Sequence, residues 1–111
     1  METPGVKGQL DLLLLAILAE EPMHGYGVIE RLRQRSEGAF DLPEGTVYPA
    51  LHRLEEAGWL RSSWTEVPGR RRRVYELTAK GQRALQDRSR VWKEFASAVE
   101  GVLKGVRWAP T

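Results

Sequence analysis

The hydrophobic period of this chain changes twice, and no other feature limits its fold as strongly. Up to Gly58 apolar residues recur at spacings of three and four, the signature of helices. From Leu60 to Leu77 the pattern becomes an alternation. Leu60, Ser62 and Trp64 interleave with Arg61, Ser63 and Thr65, and Val74-Tyr75-Glu76-Leu77 returns after Val67-Pro68-Gly69-Arg70. From Thr78 the helical period resumes. The expected fold is mostly α with a small β-hairpin, three helices before it and one long helix after. An isolated hairpin is marginal in water, so this one must dock on the helices.

The helical stretches can be bounded. Gln9 to Glu20 is apolar nearly all round, which requires burial on more than one side, and Pro22 stops it. A second helix is predicted from about His24 to Gln34, with Tyr26, Ile29 and Leu32 as its inner stripe and Arg31, Arg33 and Arg35 outside; Gly38 ends the segment. The third follows Asp41-Leu42-Pro43, packs through Val47, Leu51 and Leu54, and stops at Gly58. Pro49 fits if Thr46 is the N-cap, because proline in a first turn removes only an orphan N–H. A start nearer Pro43 implies a kink.

Thr78 reads as the N-cap of a helix to about Lys104, with an apolar stripe of Leu85, Trp92, Phe95, Ala96, Val99, Val102 and Leu103. A rod of about 26 residues is about 40 Å long. The remaining body is too small to cover it. A homodimer is therefore expected, built from this helix and the first helix of a partner chain, with Leu12, Leu15, Trp92, Ala96, Val99 and Leu103 at the interface. The implied organisation is a body at residues 8–77, a dimerisation helix at 78–104, and flexible ends at 1–7 and 105–111.

Composition removes several function classes. The 111 residues include no cysteine, which excludes disulfides, thiol nucleophiles and cysteine-rich zinc sites. The two histidines lie on separate helices without carboxylates at metal-ligand spacing, so no metal is expected. His24 is read as a helix-start residue. No paired carboxylates, nucleophile–base set or phosphate-cradling glycine loop is evident, so neither an enzyme nor a cofactor is expected. The longest apolar run, Leu12 to Ala19, is too short for a membrane span. The first residues lack the order of a secretory signal, and a cytoplasmic protein is expected.

Charge is distributed unevenly. Residues 1–60 carry five Lys/Arg against ten Asp/Glu, and residues 61–111 carry twelve against five. Arg70, Arg71, Arg72 and Arg73 are consecutive. Such a division suggests a polyanion partner, a solvated charge run being the plain alternative. Three helices and a hairpin form the winged helix-turn-helix order. In that arrangement the third helix enters the DNA major groove and the hairpin wing meets the backbone or minor groove. On the face opposite Val47, Leu51 and Leu54 lie Thr46, Pro49, His52, Arg53 and Glu56, with Tyr48 on the flank. All but Glu56 suit a duplex surface.

Several segments resemble the PadR-like transcriptional regulators. These are Leu12–Leu18, His24-Gly25-Tyr26-Gly27, Gly45-Thr46-Val47-Tyr48-Pro49-Ala50-Leu51-His52-Arg53-Leu54-Glu55, Gly69-Arg70-Arg71-Arg72 and Tyr75-Glu76-Leu77-Thr78-Ala79-Lys80-Gly81. The resemblance covers about residues 8–104. It implies a winged-helix dimer that represses by binding a palindromic operator, its long C-terminal helix pairing with the first helix of its partner. The family wing is often Gly-Gly-Arg-Arg; Pro68 replaces the first glycine here.

The expected double-stranded DNA contacts are Thr46, Tyr48, Pro49, His52, Arg53, Arg70, Arg71, Arg72, Tyr26 and Lys7. A dimer placing about five cations on phosphates has a salt slope near −4 to −5. In PadR-like members that sense planar drugs, a tryptophan at the matching place lines a pore at the dimer centre. The resemblance thus implies that Trp92 stacks on a small aromatic effector, with Phe95, Leu13 and Ala16 as neighbours; the other reading is dimer core alone. Trp59 and Trp64 are expected to pack the hairpin on the helices, and Trp108 to lie in the tail. The alternative function is a winged-helix protein-interaction module without DNA-binding activity, which needs neither the arginine run nor the polar outer face of the third helix.

Overall fold

The computed structural model describes residues 8–109. Its elements are α1 (Leu10–Leu18), β1 (Met23–His24), α2 (Gly25–Arg35), α3 (Glu44–Glu56), β2 (Leu60–Val67), β3 (Arg70–Leu77) and α4 (Ala79–Leu103). Three helices, a hairpin and a long final helix make the winged-helix order. Beyond expectation, β1 adds a third antiparallel strand, in the order β1-β3-β2, with Met23 opposite Tyr75 and His24 opposite Val74. Two residues are too few for an alternating pattern to register.

α1 is apolar at every position except Asp11, and it supplies Leu14, Leu15, Ile17 and Leu18 to the core. Val28, Ile29 and Leu32 of α2 meet them, as do Val47, Ala50, Leu51 and Leu54 of α3, with Leu42, Leu60 and Tyr75 closing the cluster. Each of the larger aliphatic side chains contributes about 1.5–3 kcal/mol by its burial. Leu15 is fully buried in this core, at 0% exposure, so it cannot serve the partner interface expected of it. Tyr26 is not on the inner stripe of α2. With Gly25, Val28, Ile29 and Leu32 facing in, Tyr26 sits about 100° away around the helix and is 55% exposed.

Local chemistry sets the helix ends. His24 caps α2, its Nδ1 accepting from the Gly27 N–H at 3.1 Å. After Ser36, Glu37 and Gly38 both take positive φ, at 53° and 85°, and the Ser36 hydroxyl accepts from the Phe40 N–H. α3 begins at Glu44 with Pro43 as N-cap, so Thr46 is not the cap. Pro49 consequently lies in the second turn, where it deprives the Gly45 carbonyl of its usual donor. After α3 and its C-cap Ala57, Gly58 turns the chain at φ 82°, with the Trp59 N–H reaching back to the Leu54 carbonyl at 3.0 Å.

β2 and β3 pair without a break from Leu60↔Leu77 to Val67↔Arg70, around Pro68-Gly69 with Gly69 at φ 86°. All four arginines of the run are therefore strand residues. Thr78 caps α4, accepting from the Gly81 N–H at 3.0 Å and donating to the Gly58 carbonyl at 2.7 Å. The start of α4 is pressed onto the body, and a β-carbon at Gly81 would collide with the Trp59 carbonyl oxygen. Ala84 and Leu85 also pack on the core. Beyond them α4 projects away, exposing Val91, Trp92, Phe95, Val99, Val102 and Leu103. The radius of gyration is 16.6 Å, against about 13 Å for a compact domain of about 100 residues.

Candidate nucleic-acid interface

Strand alternation divides the arginine run. Arg70 and Arg72 share a face with Val74, whereas Arg71 and Arg73 share the face of Tyr75. Arg72 Nη1 lies 2.8 Å from His24 Nε2. Arg73 Nε donates to the Ser62 hydroxyl at 2.9 Å, and that hydroxyl donates to Glu55 at 2.6 Å. The Trp64 ring carries Arg71 at 4.7 Å and Arg73 at 5.4 Å, in cation–π contacts. Trp64 is 53% exposed and does not pack the hairpin on a helix, because its register opposite Arg73 places it out along the wing. Trp59 does pack on the core, beneath the Arg88 guanidinium at 4.9 Å.

The run opens onto a cleft of about 480 Å³, bounded by His24, Gly25 and Tyr26 at the start of α2, Glu44 and Tyr48 on α3, and Arg70–Arg73. The Tyr48 ring lies so close on Gly25 that a β-carbon there would strike it. Burial, and next Glu44, raise the Tyr48 hydroxyl above the ordinary tyrosine range, against a hydrogen bond from the Tyr26 backbone and the charge of Arg72. Tyr48 is thus a neutral hydroxyl at physiological pH, able to donate to an anion. Burial holds the His24 imidazole below its usual range, helped by the charges of Arg72 and then Arg70.

The run differs from most other arginines of the chain, although Arg83 and Arg107 also lack an ion pair among the described residues. Arg31, Arg33, Arg35, Arg53, Arg61, Arg88 and Arg90 each have a carboxylate within ion-pair distance. Among the described residues none of Arg70–Arg73 has one, and the Arg70 guanidinium makes no hydrogen bond either. Four clustered cations without an ion-pair partner concentrate positive potential at one place, with Glu44 the carboxylate that shares their cleft.

The expected contacts fall into two sets. Tyr26, Tyr48, Arg70, Arg71 and Arg72 come together in the cleft. Pro49 and His52 are exposed on the outer face of α3, with Thr46 half-buried beside them. Arg53 is turned back, its Nη1 bonded to both oxygens of Asp11. Lys7 lies outside the described residues. His24, Gly25 and Glu44 join the cleft without having been expected there, and Arg73 lines it together with Arg72. For His24 the missing signal was its strand partner, since pairing with Val74 is what sets it beside Arg72.

A second cleft, of about 480 Å³, lies where α1 meets α4 and is lined by Leu12, Arg88, Val91, Trp92 and Phe95 among others. Trp92 is 42% and Phe95 59% exposed, their rings 6.1 Å apart and tilted. Within one chain Leu13 and Ala16 are not their neighbours. Those two face a separate groove with Leu32 and Phe40, because Leu12 takes the side of α1 toward α4. No helix among the described residues is long and apolar enough to cross a membrane.

Residues 14–87 match the family described as "Transcriptional regulator PadR-like family". The transcriptional regulator Rv3488 of Mycobacterium tuberculosis is 39% identical over 90 residues, 81% of each chain. The solved structure of a transcriptional regulator from Clostridium thermocellum superposes with a TM-score of 0.81 at 25% identity, covering 92% of this chain and 97% of that one. That of a PadR family transcriptional regulator from Eggerthella lenta gives 0.80 at 29% identity, covering 90% and 86%.

Proposed function

This chain belongs to the PadR-like family of transcriptional regulators, and we propose that it acts as a cytoplasmic dimeric repressor gripping a palindromic operator with α3 and the wing. The observation that carries the reading is the cleft in which Arg70–Arg73, free of carboxylate partners, meet Tyr26 and Tyr48. Phosphates are the complementary surface. Pro49 and His52 on the outer face of α3 reach base edges, while the wing arginines and the Tyr48 hydroxyl hold the backbone.

Pairing of two copies follows from α4. Its outer half exposes an apolar surface that its own body does not cover, and the outward residues of α1, Leu12, Leu13 and Ala16, are available to a partner. Residues 8–77 then form the DNA-binding body and 78–104 the dimerisation helix. A small planar aromatic ligand stacking on Trp92 and Phe95 at the dimer centre is the release signal. Leu13 and Ala16 take part only if the partner's α1 brings them there.

The test is fluorescence anisotropy with duplex DNA from upstream of the encoding gene. The unaltered chain should bind with an affinity that falls steeply with salt, and Arg70→Ala/Arg71→Ala and Tyr48→Ala should weaken it. Equal binding by all three would refute the site; no binding by the unaltered chain in low salt would refute the function.

A further inference from the structure

Two N–H donors converge on one imidazole. The Gly27 N–H stands 3.1 Å from His24 Nδ1, and Arg72 Nη1 stands 2.8 Å from Nε2. A neutral imidazole has a single lone pair to offer, and a protonated one has none. Both contacts therefore cannot be hydrogen bonds at once. Helix geometry decides between them. The Gly27 N–H belongs to the first turn of α2, has no acceptor within the helix, and is met by Nδ1 as a cap. With Nδ1 accepting, the proton of the ring sits on Nε2. Nε2–H and the Arg72 guanidinium then stand side by side at the cleft as two donors sharing no acceptor.

We propose that His24 Nε2–H and Arg72 form a two-donor clamp that closes on a phosphate oxygen of the DNA backbone. The clamp rests on the DNA-binding reading above and adds to it a ligand from the start of α2. An anion between the two groups removes the conflict that the free chain contains, because each donor gains the acceptor it lacks. The carboxylates around His24 do not fill that place. Glu20 is bonded to Arg31 and Arg35, and Glu30 to Arg33. Glu44 lines the cleft without an ion pair to any of its four arginines, and Glu21 lies in the groove on the other side of the ring. The remaining charged and titratable groups lining the cleft, Arg70, Arg71, Arg73, Tyr26 and Tyr48, are three cations and two hydroxyls, so they also favour an anion there. Depression of the His24 pKa by burial and by Arg72 accords with a ring that stays neutral and offers one N–H.

The test uses the full chain with 15N-labelled histidine. Long-range 1H–15N spectra should show His24 as the Nε2–H tautomer, with its ring signals moving when the upstream duplex is added. Inorganic phosphate at an equal phosphate concentration should leave them unmoved. An Nδ1–H tautomer overturns the clamp, and an equal response to inorganic phosphate overturns DNA as its ligand. Affinity provides the second arm. Asparagine caps helices well but ends short of the cleft, so His24→Asn should melt like the unaltered chain and bind the duplex about three- to tenfold more weakly. Arg72→Ala should bind more weakly too, and the double variant little worse than Arg72→Ala alone, since both donors serve one oxygen. Undiminished binding by His24→Asn, or fully additive losses, overturns the clamp while leaving the DNA-binding function standing. Absence of duplex binding by the unaltered chain overturns both.

Discussion

Arg53 of α3 is held by Asp11 of α1, with Nη1 at 3.0 and 3.1 Å from the two carboxylate oxygens. The same carboxylate lies 3.7 Å from Arg88 of α4. One acid of α1 thus ties α3 to α4, and it neutralises an arginine that the helical wheel alone assigns to DNA. Arg53→Ala should accordingly change the salt slope of duplex binding by less than half a unit, whereas Arg70→Ala should reduce it by about one. Asp11→Asn frees Arg53 and should raise affinity in low salt. Its effect on stability should stay near 0.2–1 kcal/mol, because Arg53 is largely exposed. Anisotropy titrations across a salt series separate these outcomes, and equal slope losses in Arg53→Ala and Arg70→Ala would show that Arg53 leaves Asp11 for a phosphate.

Gly81 is the position where α4 is pressed onto the body. Alanine is the better helix former by about 1 kcal/mol, yet a β-carbon here meets the backbone carbonyl of Trp59 and the Leu77 side chain. Backbone cannot rotate aside as a flexible side chain can. Gly81→Ala should therefore destabilise by about 1–3 kcal/mol in urea unfolding. Gly45→Ala, with nothing within 4 Å of the added carbon, should be neutral or mildly stabilising. A Gly81→Ala chain as stable as the original would mean that α4 docks differently.

The features that were readable before folding are those carried by period and by punctuation. The four helices, the hairpin, its Pro68-Gly69 turn and the stops at Gly38 and Gly58 all follow from local pattern, and the structure reproduces them. What depended on contacts between elements was not readable. β1 exists only because β3 offers an edge to Met23 and His24. Asp11 and Arg53, 42 residues apart, carry no mutual signal in the chain. Leu15 and Leu12 are the same residue type on the same helix, yet one is core and the other borders the α4 cleft. A helix apolar nearly all round gives the wheel no face to choose. Trp64 was misplaced for a related reason. Alternation gives the side of the sheet a residue is on, but not whether another element covers that side, and the wing extends beyond its helices.

His24 links the fold to pH. Its imidazole titrates below its ordinary 6.5 in the folded chain, chiefly through burial and then through Arg72 and Arg70. The unfolded chain therefore binds a proton more readily, and stability must rise with pH between the folded and unfolded values. The contribution is fully present above about 6.5 and is lost as the pH falls from there through the folded value. Asparagine at this position has no proton to gain. The stability difference between the unaltered chain and His24→Asn should be constant above about pH 7 and should move in favour of the variant below 6.5. Parallel stability curves from pH 8 down to pH 5 would mean that the ring is not held neutral.

Val99 tests the projecting helix. In a single chain it is 39% exposed, and substitution of such a residue ordinarily changes stability by no more than about 0.5 kcal/mol. At the centre of an apolar interface between two copies, a charge there would stand buried and unpaired and would weaken association by about tenfold or more. Val99→Glu should therefore shift the chain toward monomer in sedimentation equilibrium while each monomer stays folded. Duplex affinity should fall with it, since a lone subunit grips only half of a palindrome. Leu15→Ala is the counterpart. Leu15 is wholly within the core, so its loss should destabilise the fold by about 2–5 kcal/mol. The affinity between those subunits that remain folded should be unaltered. Association unaffected by Val99→Glu would place the partner surface elsewhere than on the outer half of α4.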